Sequence, residues 1–159
     1  PSSAASDVYK RQAYGLRRHA LKQRVHAILD QFELDGAATS GALPHGYKQR
    51  LAMAAGLVHE PEILFLDEPT SGIDPLARRA FWRTITSLSQ SGVTVIVTTH
   101  FMEEAEYCDR IAIQDAGHML ALGTPQEVRE QAGGESVDDM NQAFIAIVEQ
   151  GRVQEKSAA

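Results

Sequence analysis

Two short apolar runs with a helix-periodic stretch between them narrow the folds open to this chain. Residues 63–67 (ILFLD) and 93–99 (VTVIVTT) are rich in Ile, Leu, Val and Thr and read as continuous apolar strands. From Leu76 to about Gln90 the apolar residues recur at helical spacing, and a second helix is predicted from Tyr47 to Val58. Helices alternating with such strands predict an α/β fold around a parallel sheet. Upstream, Leu21, Val25, Ile28, Leu29 and Phe32 form one helical stripe, followed by the Gly-rich break DGAATSGALPHG. Downstream come a short helix through Met102 to Cys108 and two short strands, Ile111 to Gln114 and Met119 to Leu122, joined by an Ala-Gly turn. Two helical stretches close the pattern. The last carries Met140, Ala143, Phe144, Ile147 and Val148 on one face, ahead of a polar tail at 151–159.

With 159 residues, 43% of them hydrophobic, the chain is long enough for one ordinary domain, expected over residues 13–150. The opening residues 1–12 are small, polar and aperiodic, and read as a disordered segment or a cloning scar. Lys and Arg number 15 against 21 Asp and Glu. The net charge of −6 gives no basic footprint for nucleic acid. Cys108 is the single cysteine, so no internal disulfide can form, and a reducing compartment is expected. No run approaches the roughly 18 apolar residues of a membrane span, and the N-terminus lacks the apolar core of a secretion signal.

The chemistry concentrates in LDEPTSGIDP, residues 66–75. In open α/β sheets ligands bind outside the carboxyl ends of the strands, where Asp67 and Glu68 fall. Neighbouring strand residues face opposite ways, but Pro69 is expected to hold Glu68 extended and turn the chain, so that both acids border one crevice. Two unit charges about 4 Å apart interact by about 4 kcal/mol at an effective dielectric near 20, so the pair favours a cation. A Mg²⁺ brought by phosphate suits Asp67, and a water suits Glu68. The plainer alternative is a pair of acids capping a turn.

From Leu43 to about Gly123, and more weakly to Glu149, the chain resembles the C-terminal part of an ATP-binding-cassette (ABC) ATPase, the nucleotide-binding domain of ABC transporters. ILFLDE resembles the Walker B strand, which implies Asp67 as the Mg²⁺ ligand and Glu68 as the general base toward the attacking water. SGID resembles the D-loop, implying that Asp74 crosses a dimer interface; the alternative is an Asp capping the helix after Pro75. His100 matches the switch histidine that senses the γ-phosphate, whereas a lone His at a strand end is ordinarily just hydrogen-bonded to its neighbours. LPHGYKQR, residues 43–50, resembles the signature motif LSGGQxQR in Leu43, Gly46, Gln49 and Arg50. Pro44, His45 and Tyr47 depart from it. By this resemblance Leu43, Pro44, His45, Gly46, Tyr47, Gln49 and Asp74 line the nucleotide, with phosphate attracted to the start of the following helix. The proline variant is similar to those of multidrug, ABC-2-type exporters.

The family also needs a P-loop, GxxxxGK[ST]. No such string occurs; GALPHGYKQ, from Gly41, sets its lysine one position late and lacks the Ser/Thr. The expectation is therefore the end of the helical subdomain plus the C-terminal half of the catalytic core, without the P-loop strand that would lie between the strands at 93–99 and 111–114. The resemblance implies ATP and Mg²⁺ as cofactors, and a second ATP-binding domain and a transmembrane permease as partners. It places the assembly at the cytoplasmic face of the membrane. Competing readings are a soluble ABC ATPase of translation or repair, and a fragment without turnover that offers only its signature-motif surface.

Overall fold

Ile28, in the first predicted stripe, and Phe32, in the turn just after that helix, are 3% and 4% exposed, so the helix is anchored by its apolar face. This computed structural model describes residues 18–133, 137 and 139–158; the reading of residues 1–12 lies outside them. The chain forms two units that divide between Thr98 and Thr99.

In the first unit, α1 (Arg18–Gln31) leads through a 3₁₀ turn (Ser40–Ala42) to α2 (His45–Leu57), β1 (Ile63–Asp67), α3 (Pro75–Gln90) and β2 (Thr94–Thr98). Helix α3 follows from its sequence: Asp74 caps it, Pro75 supplies a preset first-turn φ, and Phe81, Trp82, Ile85 and Leu88 make one buried stripe. The two strands pair in parallel with Ile63 opposite Thr94 and Asp67 opposite Thr98. Helix α2 packs on β1 and α3 on β2. At Gly56 a Cβ would come 3.0 Å from Leu64 Cδ1, so the glycine lets α2 approach the strand.

One face of the two strands is open. Leu64 is buried, but Phe65 is 71% and Ile96 44% exposed. Side chains alternate along a strand, so Ile63, Phe65 and Asp67 share the open face with Thr94, Ile96 and Thr98.

The second unit comprises α4 (Met102–Ala105), β3 (Ile111–Asp115), β4 (His118–Gly123), α5 (Pro125–Ala132) and α6 (Met140–Ala158). The predicted helix to Cys108 stops at Ala105 because Tyr107 and Cys108 bond three residues back, to Glu104 and Ala105, in tight turns. Strands β3 and β4 form an antiparallel hairpin. Its two-residue turn, Ala116 at φ 48° and Gly117 at φ 83°, has the paired positive φ values of a type I′ turn. A full capping box between Thr124 and Glu127 starts α5. Hydrogen bonds from Thr124 hold the Glu127 carboxyl below its ordinary value.

Residues 151–158, read as a polar tail, continue α6. Gly151 lies where a Cβ would stand 2.9 Å from Leu120 Cδ2, and Arg152 Nε donates to Asp115 Oδ2 at 2.7 Å. Packing and an ion pair on the hairpin thus extend a helix that its apolar pattern alone would end. Arg152 also holds the Asp115 carboxyl below its usual range. The core of this unit gathers Ile113, Ala121, Val128, Ala132, Met140, Ala143, Ile147 and Val148. Among the described residues β2 pairs with β1 alone and β3 with β4 alone, giving two two-stranded sheets rather than one continuous parallel sheet.

Candidate nucleotide site

The β1–β2 register sets Asp67 beside Thr98 on the open face. The Thr98 hydroxyl donates to Asp67 Oδ1. The next residue is tied to the same threonine: Glu68 N–H donates to the Thr98 carbonyl at 3.0 Å, with Thr98 Oγ1 at 3.3 Å. Ser71 N–H then donates to the Glu68 carbonyl at 3.1 Å and closes the turn.

Glu68 is not extended. Its φ is 43°, in the left-handed region. A residue before proline is pushed out of the right-handed α region, and here the bonds on either side of Glu68, to Thr98 and from Ser71, select the left-handed alternative. Such a conformation costs a non-glycine residue about 1 kcal/mol or more, and surrounding structure must impose it. Pro69 and Thr70 beneath the turn are buried, with Thr70 at 0% exposure.

The signature stretch meets this turn. Pro44 caps α2, and its carbonyl accepts from Tyr47 N–H at 3.0 Å and Lys48 N–H at 3.1 Å. The amides of His45 and Gly46 are first-turn donors with no acceptor inside the helix. Ile73 Cγ2 stands 3.6 Å from the Cβ position of Gly46, and His45 Cε1 stands 3.8 Å from that of Gly72, which has φ 72°. Half-buried Leu43 closes the 3₁₀ turn, and the exposed His45 and Tyr47 and the half-buried Gly46 and Gln49 begin a helix whose first turn lies against the 70–74 turn.

Asp74 follows its plainer alternative: Oδ1 accepts from Leu76 and Ala77 N–H, both at 3.0 Å. Arg50 is anchored, its Nη1 3.1 Å from Glu33 Oε2 and its guanidinium 5.4 Å from the Tyr47 ring centre. Sequence spacing gave no signal for Thr98 or for Arg50's hold on Glu33. Both depend on partners brought near by the fold.

His100 belongs to the second unit, two residues beyond β2 along the chain. It is exposed, and its ring lies 4.1 Å from the Phe101 ring, tilted by 37°. In the same unit, burial, helped by the Asp109 and Glu104 carboxylates, pushes the Cys108 thiol up to about 11.

No group of three or more His, Cys, Asp or Glu gathers as metal ligands among the described residues. Mg²⁺ arriving on phosphate takes one or two protein carboxylates and keeps waters and phosphate oxygens for the rest. Asp67, exposed and oriented by Thr98, fits that part.

A family profile described as "AAA domain, putative AbiEii toxin, Type IV TA system" matches residues 4–104. The chain is 50% identical over 139 residues to "Probable multidrug ABC transporter ATP-binding protein YbhF" of Escherichia coli (strain K12), covering 85% of this chain and 24% of that protein. It is 38% identical over 143 residues to "Linearmycin resistance ATP-binding protein LnrL" of Bacillus subtilis (strain 168), covering 85% of this chain and 46% of that one. Among solved structures, cbiO1 from Clostridium perfringens, "Part of the ABC transporter complex cbiONQ", superposes with a TM-score of 0.64 at 31% identity, over 71% of this chain and 47% of that one.

The chain belongs to the ABC ATP-binding family. It spans less than half the length of these relatives. As an ABC domain it is an α/β unit of the P-loop NTPase class. Among the described residues no helix is long and apolar enough to cross a membrane.

Proposed function

We propose that this chain is part of the ATP-binding subunit of an ABC exporter of the multidrug type, coupling Mg·ATP hydrolysis to transport. The observation that carries the reading is the acid pair at the end of β1, held by Thr98 beside the turn that meets the signature helix. Bound Mg²⁺ would supply neutralisation of the phosphate charge. Asp67 would hold it. Glu68, turned out of the strand direction, would take the proton of the attacking water as general base, and His100 would orient that water against the γ-phosphate. The first-turn amides of α2, with His45 and Tyr47 in place of the usual Gly and Gln, would face the nucleotide of a second ATP-binding domain. On this reading Asp74 keeps its capping bonds while bordering the same interface. The phosphate-cradling P-loop would come from sequence beyond these 159 residues. A membrane-spanning permease would be the other partner, with the subunit on the cytoplasmic face.

The test is Glu68→Gln in the full-length polypeptide. Turnover is expected to fall by about 10² or more while equilibrium ATP binding persists, the range of a lost general base. Near-normal hydrolysis in the variant would remove Glu68 from that role.

A further inference from the structure

Glu104 has no part in the chemistry above, yet it is 0% exposed, while its neighbour Glu103 lies in solvent. A carboxylate is rarely buried so fully unless it is hydrogen-bonded, because desolvation costs it several kcal/mol. Its oxygen Oε2 accepts the Thr99 hydroxyl at 2.6 Å, the short distance of a charge-assisted bond. The same Thr99 oxygen accepts Phe101 N–H at 3.1 Å, a side-chain turn that brackets one residue. That residue is His100. It is exposed and rests on the Phe101 ring, so the segment is fixed at both ends and open in its middle.

We propose that Glu104 is a positioning residue for His100: through the Thr99 hydroxyl it locks the 99–101 turn and sets the direction of the imidazole. This rests on the reading of His100 as the residue that orders the water. The helix carrying Glu104 cannot fix the turn by itself. Helix α4 is four residues long, and its N-cap, Phe101, provides no side-chain bond. The Glu104 backbone carbonyl, rather than its side chain, takes the Tyr107 amide and the Cys108 thiol, at 3.1 and 3.7 Å. Changing the carboxylate therefore leaves those bonds in place. A 1 Å displacement of a positioned group can cost up to about 10² in rate, so loss of the clamp is expected to appear in kcat rather than in ATP affinity.

The experiment compares Thr99→Val, Thr99→Ser, Glu104→Ala and Glu104→Gln with His100→Ala in the full-length polypeptide. Two readouts are taken: kcat and KM for ATP, and the His100 Hε1 resonance in the nucleotide-free protein, which the Phe101 ring displaces. Thr99→Val and Glu104→Ala are expected to lower kcat about tenfold with KM within about threefold, and to move the Hε1 resonance. Their double variant should be no slower than the slower single one. Thr99→Ser and Glu104→Gln, which keep a donor and an acceptor, should stay near wild type in both readouts. Thr99→Val keeps the side-chain volume and decides the matter if Glu104→Ala does not fold. An unmoved Hε1 resonance and unchanged kcat in folded Thr99→Val, with His100→Ala still slow, would overturn the clamp and leave the catalytic reading standing. Normal turnover in His100→Ala would overturn that reading instead, and the Hε1 resonance alone would then show whether Glu104 sets the ring.

Discussion

A hydroxyl at the end of β2 touches both acids: Thr98 donates to Asp67 and lies 3.3 Å from the Glu68 amide, whose main bond goes to the Thr98 carbonyl. Thr98→Val keeps the shape and strand preference, leaves the carbonyl bond, and frees the Asp67 carboxylate to rotate. On the full-length polypeptide it is expected to lower turnover about tenfold and raise the Mg²⁺ concentration at half-maximal rate, with Thr98→Ser near wild type. Steady-state assays across a Mg²⁺ titration check this. The stability change should stay within about 1.5 kcal/mol, the net worth of one hydrogen bond. At this scale the place of the acids at the end of β1 and the capping bonds of Asp74 were legible, because local spacing and turn chemistry carry them. Thr98 was not, since its role comes from a strand register joining residues 31 apart in sequence. Nor was the left-handed Glu68: a following proline excludes one backbone region and leaves two, and the choice between them is tertiary.

Among the elements, both strands of the first unit and helix α3 fell within a residue of their predicted bounds. Apolar runs, Pro75 and Asp74 mark them directly. The second unit was harder at its ends. Helix α4 closes early in tight turns, and α6 runs on because Gly151 and Arg152 find partners on the hairpin, neither of which leaves a periodic trace. The hairpin turn was legible as a turn but is not optimised, since Ala116 holds φ 48° where Asn or Gly is favoured. Ala116→Asn is expected to raise stability by roughly 0.5–1 kcal/mol without touching activity. Thermal or urea unfolding of the two forms measures it, and an unchanged or lower midpoint would count against the type I′ assignment.

For the whole molecule, composition foretold a globular chain and the alternation of helix and strand patterns an α/β one, but neither showed the open face of β1 and β2, because what covers a strand is decided outside the strand. Phe65 at 71% exposure and Ile96 at 44% sit together there, beside a β2 edge that no other strand pairs among the described residues. Exposed apolar strands with free backbone groups drive association. The 159-residue chain, expressed alone, is expected to self-associate with rising concentration and to show no micromolar Mg·ATP affinity. Phe65→Lys with Ile96→Lys should shift it toward monomer. Light scattering across a dilution series reads the first, and fluorescent ATP titration the second. A monodisperse wild-type chain at high concentration would mean that the face is covered in solution.

The backbone at Glu68 sets two demands on the protein against each other. Because folding stability is one sum over a cooperative unit, relieving φ 43° at a single turn can raise the amount of folded protein a cell retains. Glu68→Gly would gain up to about 1 kcal/mol there and lose the base altogether. A scan of all residues at this position, scored separately for cellular abundance and for hydrolysis, is expected to rank glycine high on the first scale and near the bottom of the second. Position 68 would then be one where selection for persistence and selection for work favour different residues.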